Sequence, residues 1–325
     1  MPLIKCFGSQ SMHLGVDLGG TKIEIIAMDS KSSTLLRERC PTPQGDYSKT
    51  LDSICQLVHQ AEQKLNKTGT LGIGIPGCIS AETGLVKNAN STCLIGKPLK
   101  QDLEKRLQRP INIANDADCF VLSEAIDGAA AQYNNVFGII LGTGVGGGIV
   151  INKHIINGPN SITGEWGHNP LPWLTESDSV MPCYCGKKGC IETFLSGPGM
   201  SKQYDTLNNK TPSTLNSEDI FKLSQTGHTL ATQSVNQYID QLARSLASVI
   251  NILDPEVIVF GGGLSNIDRL YAPVTHTLAD YIFSDTVNTK IVKAHYGDSS
   301  GVRGAAWLGK SEVPNSLLNT GSPNV

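Results

Sequence analysis

Apolar residues in this chain follow two rhythms. Short runs at 13–17, 23–28, 35–39 and 71–75 have the length of strands, and the first leads into Gly19 and Gly20. Between them, Leu51, Ile54, Leu57, Val58, Ala61 and Leu65 recur at helical spacing over residues 47–65. After Asn115 and Asp116, an Ala-rich stretch with Glu and Leu predicts a helix over about 118–131. The pattern then restarts. A buried-type strand is predicted at 136–141, a glycine turn at 142–148 and a second strand at 149–151. A long helix follows at 235–253, then a strand at 257–260 running into Gly261, Gly262 and Gly263, and a helix at 267–283. Strand, glycine turn and strand thus occur twice. That repetition predicts a duplicated α/β fold with a cleft between the halves.

Composition narrows the class. The chain has 325 residues, enough for two domains at roughly 150 residues each. Hydrophobic residues make up 39% and charged residues 17%, which suits a soluble globular enzyme. The net charge of −3, with no Lys/Arg run, gives no reason to expect a nucleic-acid partner. No apolar run reaches the ~20 residues that span a bilayer, and the N-terminus lacks the apolar core of a signal peptide. Six of the nine cysteines (Cys6, Cys40, Cys55, Cys78, Cys93 and Cys119) are scattered singly. In an oxidising compartment they would risk mispairing, so a reducing cytoplasm is expected.

The candidate chemistry lies at the punctuation. Asp17, Gly19, Gly20, Thr21 and Lys22 form a hairpin whose glycines let backbone N–H groups approach phosphate oxygens. Asp17 is placed to hold Mg²⁺. Gly142, Thr143 and Gly144 repeat the device in the second half, so two hairpins could clamp a triphosphate across the cleft. Gly261 and Gly262 offer backbone against which an adenosine could lie. Each turn alone could be only a turn; three in this order favour nucleotide binding. Asp116 has two readings of equal weight: a general base for a substrate hydroxyl, or a helix N-cap. The strongest signal is Cys183, Cys185 and Cys190, three thiols within eight residues, with Gly186 and Gly189 to bend the backbone and His168 upstream as a fourth ligand. This set predicts a structural zinc of the Cys₃His class, with every ligand position filled. Glu165 and Glu192 flank it and could hold sugar hydroxyls, or be solvated surface charges. Trp166 is read as packing.

Taken together, Asp17–Lys22, Leu141–Gly148, Gly164–His168 and the Cys183–Cys190 stretch with Glu192 resemble the ROK family (repressors, open reading frames, sugar kinases), over residues from about 12 to 309. The resemblance implies an actin-like, ribonuclease H-like fold with a small domain at 12–117 plus about 300–312. A large domain at 118–299 would carry a zinc knot, and the ends at 1–11 and 313–325 would be flexible. It implies ATP and Mg²⁺, with the γ-phosphate passing to a hexose and Asp116 as the base. Asn90, Asn115, Glu165, His168 and Glu192 would be sugar contacts, and a homodimer is the family habit. Residues 86–92, 168–173 and 295–301 look most like bacterial fructokinases that also accept mannose, so fructose is the expected acceptor. The alternatives within the family are N-acetylglucosamine kinase and glucokinase. N-acetylglucosamine kinases share the glycine turns but look different around Asn90 and after His168. The loop from His168 to Cys183 is shorter than the fructokinase subgroup suggests. A non-catalytic sugar-sensing regulator is the alternative of another class. Regulators in the family carry a helix-turn-helix ahead of the core, and about twelve residues precede the first strand here, too few for one.

Overall fold

In the computed structural model of this chain, residues 11–89, 91–209 and 212–310 are described. The first half opens with an antiparallel meander of β1 (Met12–Leu18), β2 (Lys22–Asp29) and β3 (Thr34–Pro41). α1 (Tyr47–Leu65) covers the span its apolar period predicts, and the Asp46 side chain caps it by accepting from the Lys49 N–H. β4 (Thr70–Ile75) returns parallel to β1. A small ribbon of β5 (Cys78–Ile79) and β6 (Val86–Lys87) follows, then α2 (Leu99–Leu107). β7 (Asn112–Asn115) pairs parallel with β4 and leads directly into α3 (Asp116–Ile126).

The second half repeats the plan. β8 (Asn135–Leu141), β9 (Val145–Ile151) and β10 (His154–Ile155) form the meander. An inserted segment carries α4 (Glu192–Leu195), α5 (Gly197–Leu207) and α6 (Ser217–Gln225). Next come α7 (Thr229–Leu253), β11 (Val257–Gly261), α8 (Tyr271–Thr277), β12 (Lys290–Lys293) and α9 (Ser300–Lys310). The sheets run β3-β2-β1-β4-β7 and β10-β9-β8-β11-β12. In each, the first strand pairs antiparallel with the second and parallel with the fourth. The duplication expected from the glycine turns is therefore present strand for strand.

Each sheet has an outer core of its own, and a third apolar cluster lies between the sheets. α3 packs on β8 and β9, α9 packs on β1 and β4, and the two helices pack on each other. The backbones come so close that side chains are excluded. A Cβ at Gly72 would lie 2.0 Å from the Ala305 carbonyl oxygen, and one at Gly304 only 1.7 Å from that of Cys119. Among the described residues no helix is long and apolar enough to cross a membrane.

Three expectations need correction. β9 begins at Val145 and not at 149, so Gly146, Gly147 and Gly148 are strand residues. Glycine is needed at 147 and 148 because the Trp166 indole and Asp118 press on that strand: a Cβ at Gly147 would meet the indole at 2.8 Å, and one at Gly148 would meet Asp118 Oδ1 at 3.0 Å. α3 begins at Asp116 and ends at Ile126, where Glu124 turns the chain by accepting from the Ala129 N–H. The helix expected over 267–283 breaks into two 3₁₀ turns around the short α8. Pro273 sits in the first turn of α8, where its missing N–H costs nothing; a helix begun at 267 would have buried it mid-helix. The ends expected to be flexible lie, Ser11 aside, outside the described residues.

Candidate active site

The first glycine turn connects β1 to β2 and is tied down from the side. Thr42 Oγ1 donates to the Gly19 carbonyl at 2.7 Å, the Thr42 N–H to Thr21 O at 3.0 Å, and Gln44 Nε2 to the Gly20 carbonyl. The second turn connects β8 to β9. Its Gly142 carbonyl accepts from the Gly197 N–H at the start of α5, at 2.8 Å. A cleft of about 460 Å³ opens here, lined by Gly142, Thr143, Gly197, Asn216 and Gly263 among others.

The glycines of the three turns divide into crowded and open positions: a Cβ on Gly19 would meet the Lys22 carbonyl oxygen at 2.9 Å, and one on Gly144 the Glu192 carboxylate at 2.8 Å. A Cβ on Gly20, Gly142 or Gly263 would meet no protein atom within 4 Å, and none of the three has positive φ. Nothing in the fold requires glycine there, so those positions are open to a close ligand. Gly261 and Gly262 are different. A Cβ on Gly261 would strike the Phe120 ring at 2.6 Å; Gly262 has φ +81° and would strike the Leu141 carbonyl at 2.4 Å. They serve packing and the turn, and Gly263 is the one of the three that faces the cleft. Thr21 is exposed, and Lys22 forms an ion pair with the buried Glu24 at 3.4 Å.

Both members of the 115–116 pair reach the Ala117 N–H, so the cap is shared between them. Asn115 is the N-cap of α3: its Oδ1 accepts from the Ala117 N–H at 2.8 Å, and its Nδ2 donates to Gly77 O at 3.0 Å. Asp116, the first helical residue, is exposed by area yet closely surrounded by protein, and its Oδ1 also accepts from the Ala117 N–H at 2.8 Å. That burial raises its carboxyl above the ordinary value. Burial and the neighbouring charges of Asp116 and Glu24 push Asp17 up to about 6. Asp118 was not anticipated. It is 8% exposed, its Oδ1 has no hydrogen-bond partner among the described residues, and burial with the charges of Asp116 and Glu165 pushes it up to about 7. A second carboxylate two positions beyond Asp116 was its only signal in the sequence. Burial also raises Glu165, with Asp116 and Glu192 adding to the effect and His168 opposing it. Asp17, Asp116, Asp118 and Glu165 therefore form one interacting carboxylate group.

The thiols and the imidazole converge. The ligand atoms of His168, Cys183, Cys185 and Cys190 all lie within 4.8 Å of one another. Cys183 Sγ is 3.6 Å from His168 Nδ1, and Cys185 Sγ is 3.6 Å from Cys190 Sγ. Thiolates around a tetrahedral zinc, at about 2.3 Å from the metal, stand about 3.8 Å apart, so the donors fit that ion. A hydrogen bond from the Lys187 N–H lowers the Cys185 thiol, which favours the thiolate a metal needs. His168 Nε2 faces the Tyr184 hydroxyl at 3.0 Å. Glu192, at the start of α4, accepts from the Val145 N–H at 2.9 Å and so joins the knot to the second glycine turn. Trp166 packs, as expected: it is 4% exposed and donates to Gly146 O at 2.9 Å. Buried Arg244 on α7 holds the loop ahead of the knot, donating to the Pro172 and Trp173 carbonyls at 2.8 and 2.7 Å and pairing with Asp178 at 3.0 Å. Asn90 lies outside the described residues.

The ROK family profile matches residues 13–312. An N-acetyl-D-glucosamine kinase of Photobacterium profundum is 41% identical over 302 residues, spanning 91% of this chain and 99% of the relative. One of Salmonella gallinarum is 42% identical over 302 residues, with the same 91% and 99% spans. Among solved structures, the ROK hexokinase of Thermus thermophilus superposes with a TM-score of 0.80 at 26% identity, over 91% of this chain and 97% of that one. A ROK family glucokinase from Streptomyces griseus, in complex with glucose and AMPPNP, gives 0.72 at 26% identity, over 92% and 99%. The two relatives carry the name of the alternative acceptor, N-acetylglucosamine, and not that of fructose.

Proposed function

Because the chain belongs to the ROK family, we propose that it transfers the γ-phosphoryl group of ATP to the 6-hydroxyl of N-acetyl-D-glucosamine. One observation carries the choice of acceptor: the likeness to kinases named for that sugar, at 41–42% identity, runs over 99% of their length. The likeness to fructokinases rests on three short stretches, and a preference averaged over the whole chain outweighs them.

The geometry supports the following roles. Asp116 accepts the proton of the 6-hydroxyl as that oxygen forms a bond to the γ-phosphorus. The bond from phosphorus to the β–γ bridging oxygen breaks, and ADP leaves. An exposed carboxylate with a raised pKa is suited to this step, since a base works best when its pKa approaches the working pH. Backbone N–H groups of the turns at Gly20 and Gly142 face the phosphates, and the cleft at Gly142 and Gly263 takes the adenosine. Asp17 is the carboxylate that would hold magnesium, which neutralises phosphate charge when bound with ATP. His168, Cys183, Cys185 and Cys190 would hold a zinc whose chemistry is structural, since no ligand position is left open. Glu165 and Glu192, fixed on either side of that knot, orient the sugar hydroxyls. Closure of the small half (12–117 with 300–312) on the large half (118–299) excludes water and limits futile hydrolysis of ATP.

A coupled ADP assay over N-acetylglucosamine, glucose, mannose and fructose tests the proposal. N-acetylglucosamine should lead in kcat/KM by about tenfold or more, the scale one well-read polar group supplies. A lead for fructose would overturn the acceptor, and ADP release independent of every sugar would overturn the kinase.

A further inference from the structure

Tyr184 sits between Cys183 and Cys185 of the four-residue metal-ligand cluster, yet holding a metal requires no aromatic ring at that position. Its side chain is 78% exposed, among the most exposed large apolar side chains described. The backbone beneath it is fixed: Cys183 N–H donates to Lys187 O at 2.8 Å, and Gly186 N–H to Cys183 O at 3.1 Å. The ring meets the His168 imidazole edge-on, with centroids 5.2 Å apart, and the hydroxyl lies 3.0 Å from His168 Nε2. Glu192 and Glu165 are near enough for their charges to act on its hydroxyl.

These observations fit together in one way. His168 turns Nδ1 towards Cys183, so in the neutral ring Nε2 carries the proton and donates to the Tyr184 hydroxyl. The N–H that would otherwise point at a sugar is thus held by a side chain that can move. A tyrosine left in water beside three polar groups pairs a flat apolar face with a polar tip, the combination that packs the C–H face of a pyranose while its hydroxyls are read at the edge. We propose that Tyr184 is a further substrate-contacting residue, its ring forming a wall of the sugar site beside Glu165 and Glu192. On sugar binding, its hydroxyl yields His168 Nε2–H to a sugar hydroxyl. The inference rests on the sugar-kinase reading above.

The test uses the zinc-loaded protein and the variants Tyr184→Ala and Tyr184→Phe. N-acetylglucosamine affinity is measured by calorimetry, KM for ATP by the coupled assay, and zinc per chain by metal analysis. Removal of the ring should weaken sugar binding about tenfold, with zinc content and ATP KM within about twofold of wild type, as expected for a lost aromatic contact. Tyr184→Phe, which keeps the ring, should recover most of that loss. Sugar affinity unchanged in Tyr184→Ala would overturn the proposal, as would a loss that tracks zinc content. Wild-type activity tests the kinase reading separately. A protein that binds sugar through Tyr184 but turns over none refutes the kinase and keeps the contact, whereas one that binds no sugar refutes both.

Discussion

Asn115 and Asp116 cap α3 together, and Asn115 is further tied down through its amide. Asn115 spends its side chain on the Ala117 N–H and the Gly77 carbonyl, and Asp116 accepts from the same Ala117 N–H while remaining exposed. Asp116→Asn should therefore fold normally and lose about 10²–10⁴ in kcat, the usual worth of a positioned base; circular dichroism and the coupled assay check both halves of this. Asp118 gives a prediction of the opposite kind. Its pKa is raised from 3.8 to about 7 by burial. A carboxyl raised in the folded state binds more protons there than when unfolded, so its cost to stability grows as pH rises from about 4 to 7 and stays in full above. Asp118→Asn should thus melt higher than wild type at pH 8, by at least about 1 kcal/mol in stability, with the gap shrinking towards pH 4. Thermal melts across that range would show it. Asp17, Asp116 and the thiols were legible in the sequence because neighbours in the chain declare them. Asp118, Tyr184 and Thr42 were not, since their importance comes from burial and from contacts made across the fold.

At the level of elements, glycine had two meanings that sequence could not separate. Gly20 and Gly142 face open space, while Gly261 is filled by the Phe120 ring. Alanine at Gly20 or Gly142 should leave the melting temperature near wild type and raise KM for ATP several-fold. Alanine at Gly261 should instead destabilise the protein by about 1–3 kcal/mol, the usual cost of overpacking. Urea denaturation and ATP kinetics on the three variants distinguish the cases. β1, β2, β3, β8 and the long helices α1 and α7 were legible because their apolar periods are sustained. α2, α5 and α6 were missed: they are short, and their apolar faces become clear only against the neighbours they cover. The single helix expected over 267–283 failed at Pro273, a breaker its apolar spacing concealed.

Across the whole molecule, the two sheets are joined through α3 and α9, which meet where only glycine fits. Gly304→Ala places a Cβ 1.7 Å from the Cys119 carbonyl oxygen, a fixed backbone atom with no freedom to retreat. The variant should lose about 3 kcal/mol or more and both halves should loosen together, read as a single lowered urea midpoint with reduced activity. Duplication was legible from the repeated glycine turns, but the crossing of α9 onto the first sheet was not, because no local signal marks a helix for a partner nearly 300 residues away. That crossing has a consequence for biosynthesis. β1 and β4 leave the ribosome early, yet the face of their sheet that carries Gly15 and Gly72 stays bare until Ser300–Lys310 has been translated. The half made first is therefore the half finished last, and a nascent chain must keep an apolar face from aggregating until α9 arrives.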